Sequence, residues 1–118
     1  MPRFLSMIRI EENQIPEGEF PEGFDQQMGA LLEEMTKAGV MLDTAGLMPT
    51  SDGTRVNWSG GTISYTDGPF TETKEVVGGY AIVQCKDKAE ALEWAKRFLE
   101  IHPAEWSITC EVREIQEG

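Results

Sequence analysis

A short set of polar side chains carries whatever chemistry this sequence can offer. Asp67 heads the run Asp67-Gly68-Pro69-Phe70, and Glu72, Lys74 and Glu75 follow in the same polar stretch. His102 is the single histidine and precedes Pro103, while Glu111 and Arg113 lie two apart near the end. Each has a structural and a chemical reading. Asp and Gly favour turns, Pro holds φ near about −65°, and Phe70 can pin such a turn to the core. As a chemical group, Asp67 would be a general base or ligand anchor with Phe70 beside it. Its ordinary pKa of about 3.9 would then have to be raised by burial. Glu72, Lys74 and Glu75 read as a solvated charge run. Beside a cleft, a lysine between carboxylates can instead hold a substrate carboxylate. Histidine is the side-chain type suited to proton transfer near neutral pH, so His102 either steadies a helix C-terminus or carries a proton. On a strand, Glu111 and Arg113 share one face. There they form a salt bridge between subunits, or Arg113 grips a carboxylate or enolate oxygen through paired N–H bonds.

Other chemistries lack their residues. With one histidine, no paired-histidine metal motif is possible, and no metal or cofactor is expected. No phosphate loop, nucleophile elbow or dinucleotide fingerprint occurs. Gly60-Gly61 and Gly78-Gly79 lack the strand-to-helix setting that phosphate binding needs. Cys85 and Cys110 are far apart, show no ligand spacing, and fall in apolar runs, as expected of buried thiols in a reducing compartment.

The charge balance narrows the partners. Ten basic residues against 21 acidic ones leave a net charge of −11. Phosphate backbones and anionic membrane surfaces both need clustered Lys and Arg, so neither nucleic acid nor membrane is an expected partner. The first ten residues are too short and interrupted for a signal peptide, and no apolar run approaches the ~20 residues that span a bilayer. A cytoplasmic location is the expectation.

The elements that must position these groups follow from periodicity. The 118 residues suit one domain, 1–118. Residues 3–10 alternate with apolar groups on both faces, as in a central strand. Residues 11–23 read as a loop. Phe24, Met28, Leu31, Leu32, Met35 and Ala38 form one helical stripe over 24–38, ended by Gly39. Residues 40–49 read as a turn. Residues 54–58 and 62–66 alternate around Gly60-Gly61 as a hairpin, and Tyr80-Ala81-Ile82-Val83 is an apolar strand. Asp87 with Glu90 signals a capped helix, with Ala91, Leu92, Ala95, Phe98 and Leu99 as its buried stripe. A last strand covers 108–115. The order β-α-β-β-β-α-β, less one extra hairpin strand, is the split, ferredoxin-like α+β arrangement. Its helices cover one sheet face, and a second copy of the chain is the simplest cover for the other.

Asp67-Gly68-Pro69-Phe70-Thr71-Glu72-Thr73-Lys74-Glu75, with Gly78-Gly79-Tyr80 after it, resembles the YCII-related family and its branch carrying the Asp-Gly-Pro-Phe motif. Gly39-Val40-Met41-Leu42, Gly46-Leu47, Ala91-Leu92-Glu93-Trp94-Ala95 and Glu111-Val112-Arg113 extend the resemblance over the chain from about Leu31 onward. It implies a dimeric α/β barrel of two face-to-face sheets in a bacterial cytosolic protein. It also implies association with extracytoplasmic-function sigma factors and acid–base activity through a His and an Asp. Two readings stand. One is a homodimer that binds a small acidic or enolisable metabolite without a cofactor. In it Asp67 and His102 do the acid–base work, and Phe70, Glu72, Lys74, Glu111 and Arg113 contact the substrate. The other is a non-catalytic accessory module in a sigma-factor-linked pathway.

Overall fold

The computed structural model describes residues 1–12, 20–70 and 75–117. Among the described residues the helices and strands follow one another as β1 (Arg3–Ile10), α1 (Phe24–Lys37), β2 (Met41–Gly46), β3 (Thr54–Ser59), β4 (Thr62–Asp67), β5 (Val76–Gln84), α2 (Lys88–Glu100) and β6 (Ile108–Glu114), with a 3-10 turn at Thr50–Asp52. β2, β5, β1 and β6 form one antiparallel sheet in that order, and β3 pairs with β4 as a separate two-stranded sheet. The chain is α+β, and the order is compatible with the split, ferredoxin-like fold. The sheet is open rather than closed into a barrel.

One expectation is corrected. Residues 40–49, whose composition predicts a turn, contain β2, and both hairpin strands together form the insertion. Met41–Gly46 is a six-residue edge strand that pairs only with β5. Most of its side chains are exposed, so it lacks the apolar alternation that betrays a half-buried strand. Flanking Gly39 and Pro49 strengthen the turn signal further.

Local chemistry explains the remaining boundaries. α1 ends at Ala38, and Gly39 follows with φ of 74°. Asp87 caps α2 by accepting the backbone N–H of Glu90 at 2.9 Å, while the Glu90 carboxylate accepts the N–H of Lys86 at 2.9 Å. That is the expected reciprocal cap, with its return bond made one residue earlier. Gly60 and Gly61 both adopt positive φ, which a two-residue hairpin turn requires.

Period-two alternation divides the sheet. Phe4, Ala81, Val83 and Val112 face the helices and join Leu31, Met35, Val40, Cys85 and Ala91 in the core. Trp94 packs on this core, whereas Leu92, expected in the buried stripe of α2, is 47% exposed, as is the outward-turned Ala38 of α1 by its surface class. Leu5, Met7, Tyr80, Ile82, Arg9, Glu111 and Arg113 belong to the opposite face, which neither α1 nor α2 covers. The molecule is only 18 Å thick along its shortest axis, matching one sheet and one helix layer.

Candidate functional site

At one end of the helix-covered face the packing leaves a cavity of about 580 Å³. Its floor is formed by β1, β5 and the edge strand β2: Ile8, Ile10, Gly78, Gly79 and Thr44. β5 bulges here, because Ile8 pairs with Gly79 and Arg9 with Val77, leaving Gly78 as the extra residue. A Cβ on Gly78 would meet the Ile10 side chain at 2.6 Å, so side chains at the bulge would fill the floor. The two glycines bind no phosphate loop; they make room.

The walls are aromatic. Phe20 stacks on Phe24 with centroids 4.7 Å apart, and Phe24 meets the His102 ring edge-on at 5.2 Å. His102 also packs on Phe98 at 4.8 Å, and Trp106 closes the group 5.5 Å from Phe20. Met28 and Leu32 of α1 complete the apolar lining, while Glu11, Glu105 and Ser107 bring polarity. The local sequence explains the arrangement. Phe20 and Phe24 lie at the entry to α1, and Phe98, His102 and Trp106 follow at four-residue steps across the end of α2. Four-residue spacing keeps them on one side of a helix and its exit.

His102 is held in a defined tautomer. Its Nδ1 lies 3.0 Å from the carbonyl oxygen of Phe98. A carbonyl only accepts, so Nδ1 donates and the neutral ring carries its lone pair on Nε2. The ring therefore satisfies a C-terminal carbonyl of α2, as its structural reading expects, and also lines the cavity with a basic nitrogen. Proton transfer and helix capping are both open to it.

Asp67 sits elsewhere. It ends β4, is exposed, and accepts a hydrogen bond from the Thr54 hydroxyl at 3.0 Å. It is not among the residues lining the cavity. Gly68 donates its N–H to Gly53 O at 2.9 Å, and the Gly68–Pro69 peptide is cis. A Cβ on Gly68 would fall 1.6 Å from Thr50 O, so glycine alone fits that approach. The Phe70 ring lies beneath the Arg55 guanidinium, 3.8 Å from its centroid. Around this motif the contacts fasten the base of the hairpin to the 50–55 segment. Glu12 secures the same segment by accepting the Thr50 backbone N–H at 2.9 Å and the Thr50 hydroxyl, and these bonds hold its pKa below the usual carboxylate range.

Glu111 and Arg113 occupy the uncovered face, as expected. Glu111 pairs with Arg9 at 2.9 Å, and Arg9 also reaches Glu75 at 3.5 Å. Nearby, Tyr80 donates its hydroxyl to Asp43 at 3.0 Å, which raises the phenol pKa. Glu72 and Lys74 lie outside the described residues. Thus the structure brings Glu111, Arg113 and Glu75 to one face, puts His102 on the other, and sets Asp67 and Phe70 at the hairpin base. Among the described residues no three His, Cys, Asp or Glu side chains cluster closely enough to hold a metal ion. No helix among them is long and apolar enough to cross a membrane.

The aromatic wall was missed in the sequence. Its one visible signal is the clustering of Phe98 and Trp106 at equal steps on either side of the only histidine.

The model of the YCII-related domain matches residues 3–115, from the first strand to just past the last. The chain belongs to the YCII-related family. It is also 31% identical over 79 residues to an uncharacterised protein of Rhizobium meliloti (strain 1021). That alignment takes in 67% of this chain and 64% of the relative, so the chain spans less than two-thirds of the relative's length.

Proposed function

We propose that this YCII-related protein, of the branch marked by Asp67-Gly68-Pro69-Phe70, is a cytoplasmic homodimer that binds a small molecule in the aromatic cavity and uses His102 for acid–base chemistry. The observation that carries this reading is an apolar cavity of about 580 Å³ whose wall contains the chain's only histidine. That volume falls in the range of about 300–1,000 Å³ usual for small-molecule sites. An apolar lining and an imposed tautomer suit Nε2 to take a proton beside a carbonyl in an enolisable ligand. Asp67, in this reading, positions the hairpin base rather than touching the ligand. Arg113 and Glu111 attach to the subunit boundary.

The dimer rests on the uncovered face. Leu5, Met7 and Ile82 are half-buried there with neither α1 nor α2 above them, and a second sheet stacked on the first would give the dimeric α/β barrel. Sedimentation equilibrium should return twice the chain mass, and Met7→Glu should return one. A wild-type monomer removes the barrel from the proposal.

For the cavity, thermal-shift screening of enolisable metabolites should find a stabilising ligand. Gly78→Leu, which fills the floor, should abolish that stabilisation. His102→Gln should spare binding yet remove proton exchange at the carbon next to the ligand carbonyl. Ligands indifferent to Gly78→Leu place binding elsewhere, and exchange that survives His102→Gln removes the catalytic role.

One observation favours the accessory-module reading. Val56, Trp58, Ile63 and Tyr65 share one face of the β3–β4 hairpin, and they are 64, 71, 48 and 71% exposed. An apolar face of this kind suits a protein partner.

A further inference from the structure

Resting on the cavity as the binding site, we infer that its ligand is a hydroxyarene: a flat aromatic body whose ring hydroxyl is donated to Nε2 of His102. Two neutral polar groups of the lining set the sense of that bond, because each has already spent its hydrogen on a backbone carbonyl. His102 gives Nδ1–H to the oxygen of Phe98 at 3.0 Å, so Nε2 of the neutral ring offers a lone pair. Thr44 donates its hydroxyl to the oxygen of Tyr80 at 2.9 Å, so it too presents lone pairs to a ligand. Two acceptors, one on the wall and one on the floor, select a ligand that brings a donor. A ketone, ester or ether oxygen bonds to neither and would leave Nε2 desolvated without a partner.

The walls select the rest of the molecule. Phe20, Phe24, Phe98 and Trp106 line one space, and the imidazole meets Phe24 and Phe98 at steep angles, 5.2 and 4.8 Å between centroids. These contacts hold the plane of the His102 ring, and the Nε2 lone pair lies in that plane. A flat aromatic ligand gains offset or edge-to-face contacts with such rings that a saturated body of equal size does not. Gly78, without a Cβ, leaves the floor open to it. A hydroxyl on an aromatic carbon is also acidic, near about 10 as in tyrosine, so it can share its proton with Nε2 where a saturated alcohol does not. A hydroxyarene is an enol kept in that form by its ring, which joins this ligand to the enolisable class proposed above.

Three probes separate the ring from the donor: β-naphthol, its methyl ether, and its fully hydrogenated counterpart, a decalol. Binding to the untagged full chain is followed by NMR near neutral pH, through backbone amide shifts and imidazole nitrogen spectra. His102 is the single histidine, so those nitrogen resonances are its own. β-Naphthol should bind about tenfold more tightly than the ether and about fivefold more tightly than the decalol. Amide shifts should centre on Phe24, Phe98 and Trp106. β-Naphthol should move the Nε2 resonance far more than that of Nδ1, and the ether should not. His102→Phe, which keeps a ring and removes both nitrogens, should erase the preference for naphthol over its ether. The wild-type nitrogen spectra decide the bond independently of that variant. Equal affinity of naphthol and ether with an unmoved Nε2 resonance overturns the donated hydroxyl, and equal affinity of naphthol and decalol overturns the aromatic body. Either result leaves the cavity as a site. Failure of all three probes to shift cavity amides overturns both.

Discussion

The two faces of the four-stranded sheet are built from the same strands yet have opposite surroundings. Phe4, on the helix side, is 1% exposed, whereas Leu5, its neighbour on the other side, is only half-buried. The covered face is sealed by α1 and α2 except where the bulge glycines open the cavity. On the uncovered face an apolar band of Leu5, Met7 and Ile82 lies beside the Arg9, Glu75 and Glu111 ion pairs. Alternation along β1 thus sends one row of side chains into a finished core and the other into an unfinished one. The proposed binding chemistry belongs to the first, and the proposed assembly to the second.

The strongest test of this contrast is a neighbouring pair of truncations. Phe4→Ala should cost about 3–5 kcal/mol in denaturant unfolding, the usual loss for a buried aromatic. Leu5→Ala should cost about 1 kcal/mol in the isolated chain, because much of its surface is already wet. A Leu5→Ala loss that matches Phe4→Ala and grows with protein concentration would mean that a second copy covers the open face.

Next comes Cys85. Burial, reinforced by the charges of Glu90 and Asp87, pushes its thiol up to about 11. Because the folded pKa is raised, its stabilising effect is complete below the unfolded thiol pKa and is lost as pH rises through about 11. Wild type should therefore lose about 2 kcal/mol more than Cys85→Ala across this alkaline window. Parallel curves for the two proteins would show that the thiol is not sealed in the core.

Glu12 gives the acid counterpart at the edge of the covered layer. Its folded pKa is lowered by the Thr50 bonds, so its contribution is present above the ordinary carboxylate pKa and fades as pH falls through the folded value. Glu12→Gln should flatten that acid slope by a small amount, and an unchanged slope would show that the tie does not form in solution. The smallest effect belongs to the hairpin. Trp58→Ser should change stability by less than about 0.5 kcal/mol, since the ring is 71% exposed. A larger loss would indicate that the apolar hairpin face is covered.

Much of this layout is legible along the chain. β1 shows apolar alternation on both faces, Asp87 and Glu90 announce the cap of α2, and Gly60-Gly61 marks the hairpin turn. β2 is hidden because an edge strand with exposed side chains carries no hydrophobic period. Asp67 attracts chemical interest by its motif, yet its neighbours are Thr54 and the hairpin base. The cavity is hidden for a different reason: Phe24 and His102 are 78 positions apart in the numbering and meet only because α1 and α2 cross the same sheet face.

Element type, caps, turns, acidity and the two-sided alternation of β1 are local properties, set by residues within a few positions of one another. Which side chains converge, where the floor opens at Gly78, and which nitrogen of His102 carries the lone pair depend on contacts between distant segments. Packing free energy, which periodicity does not encode, decided those.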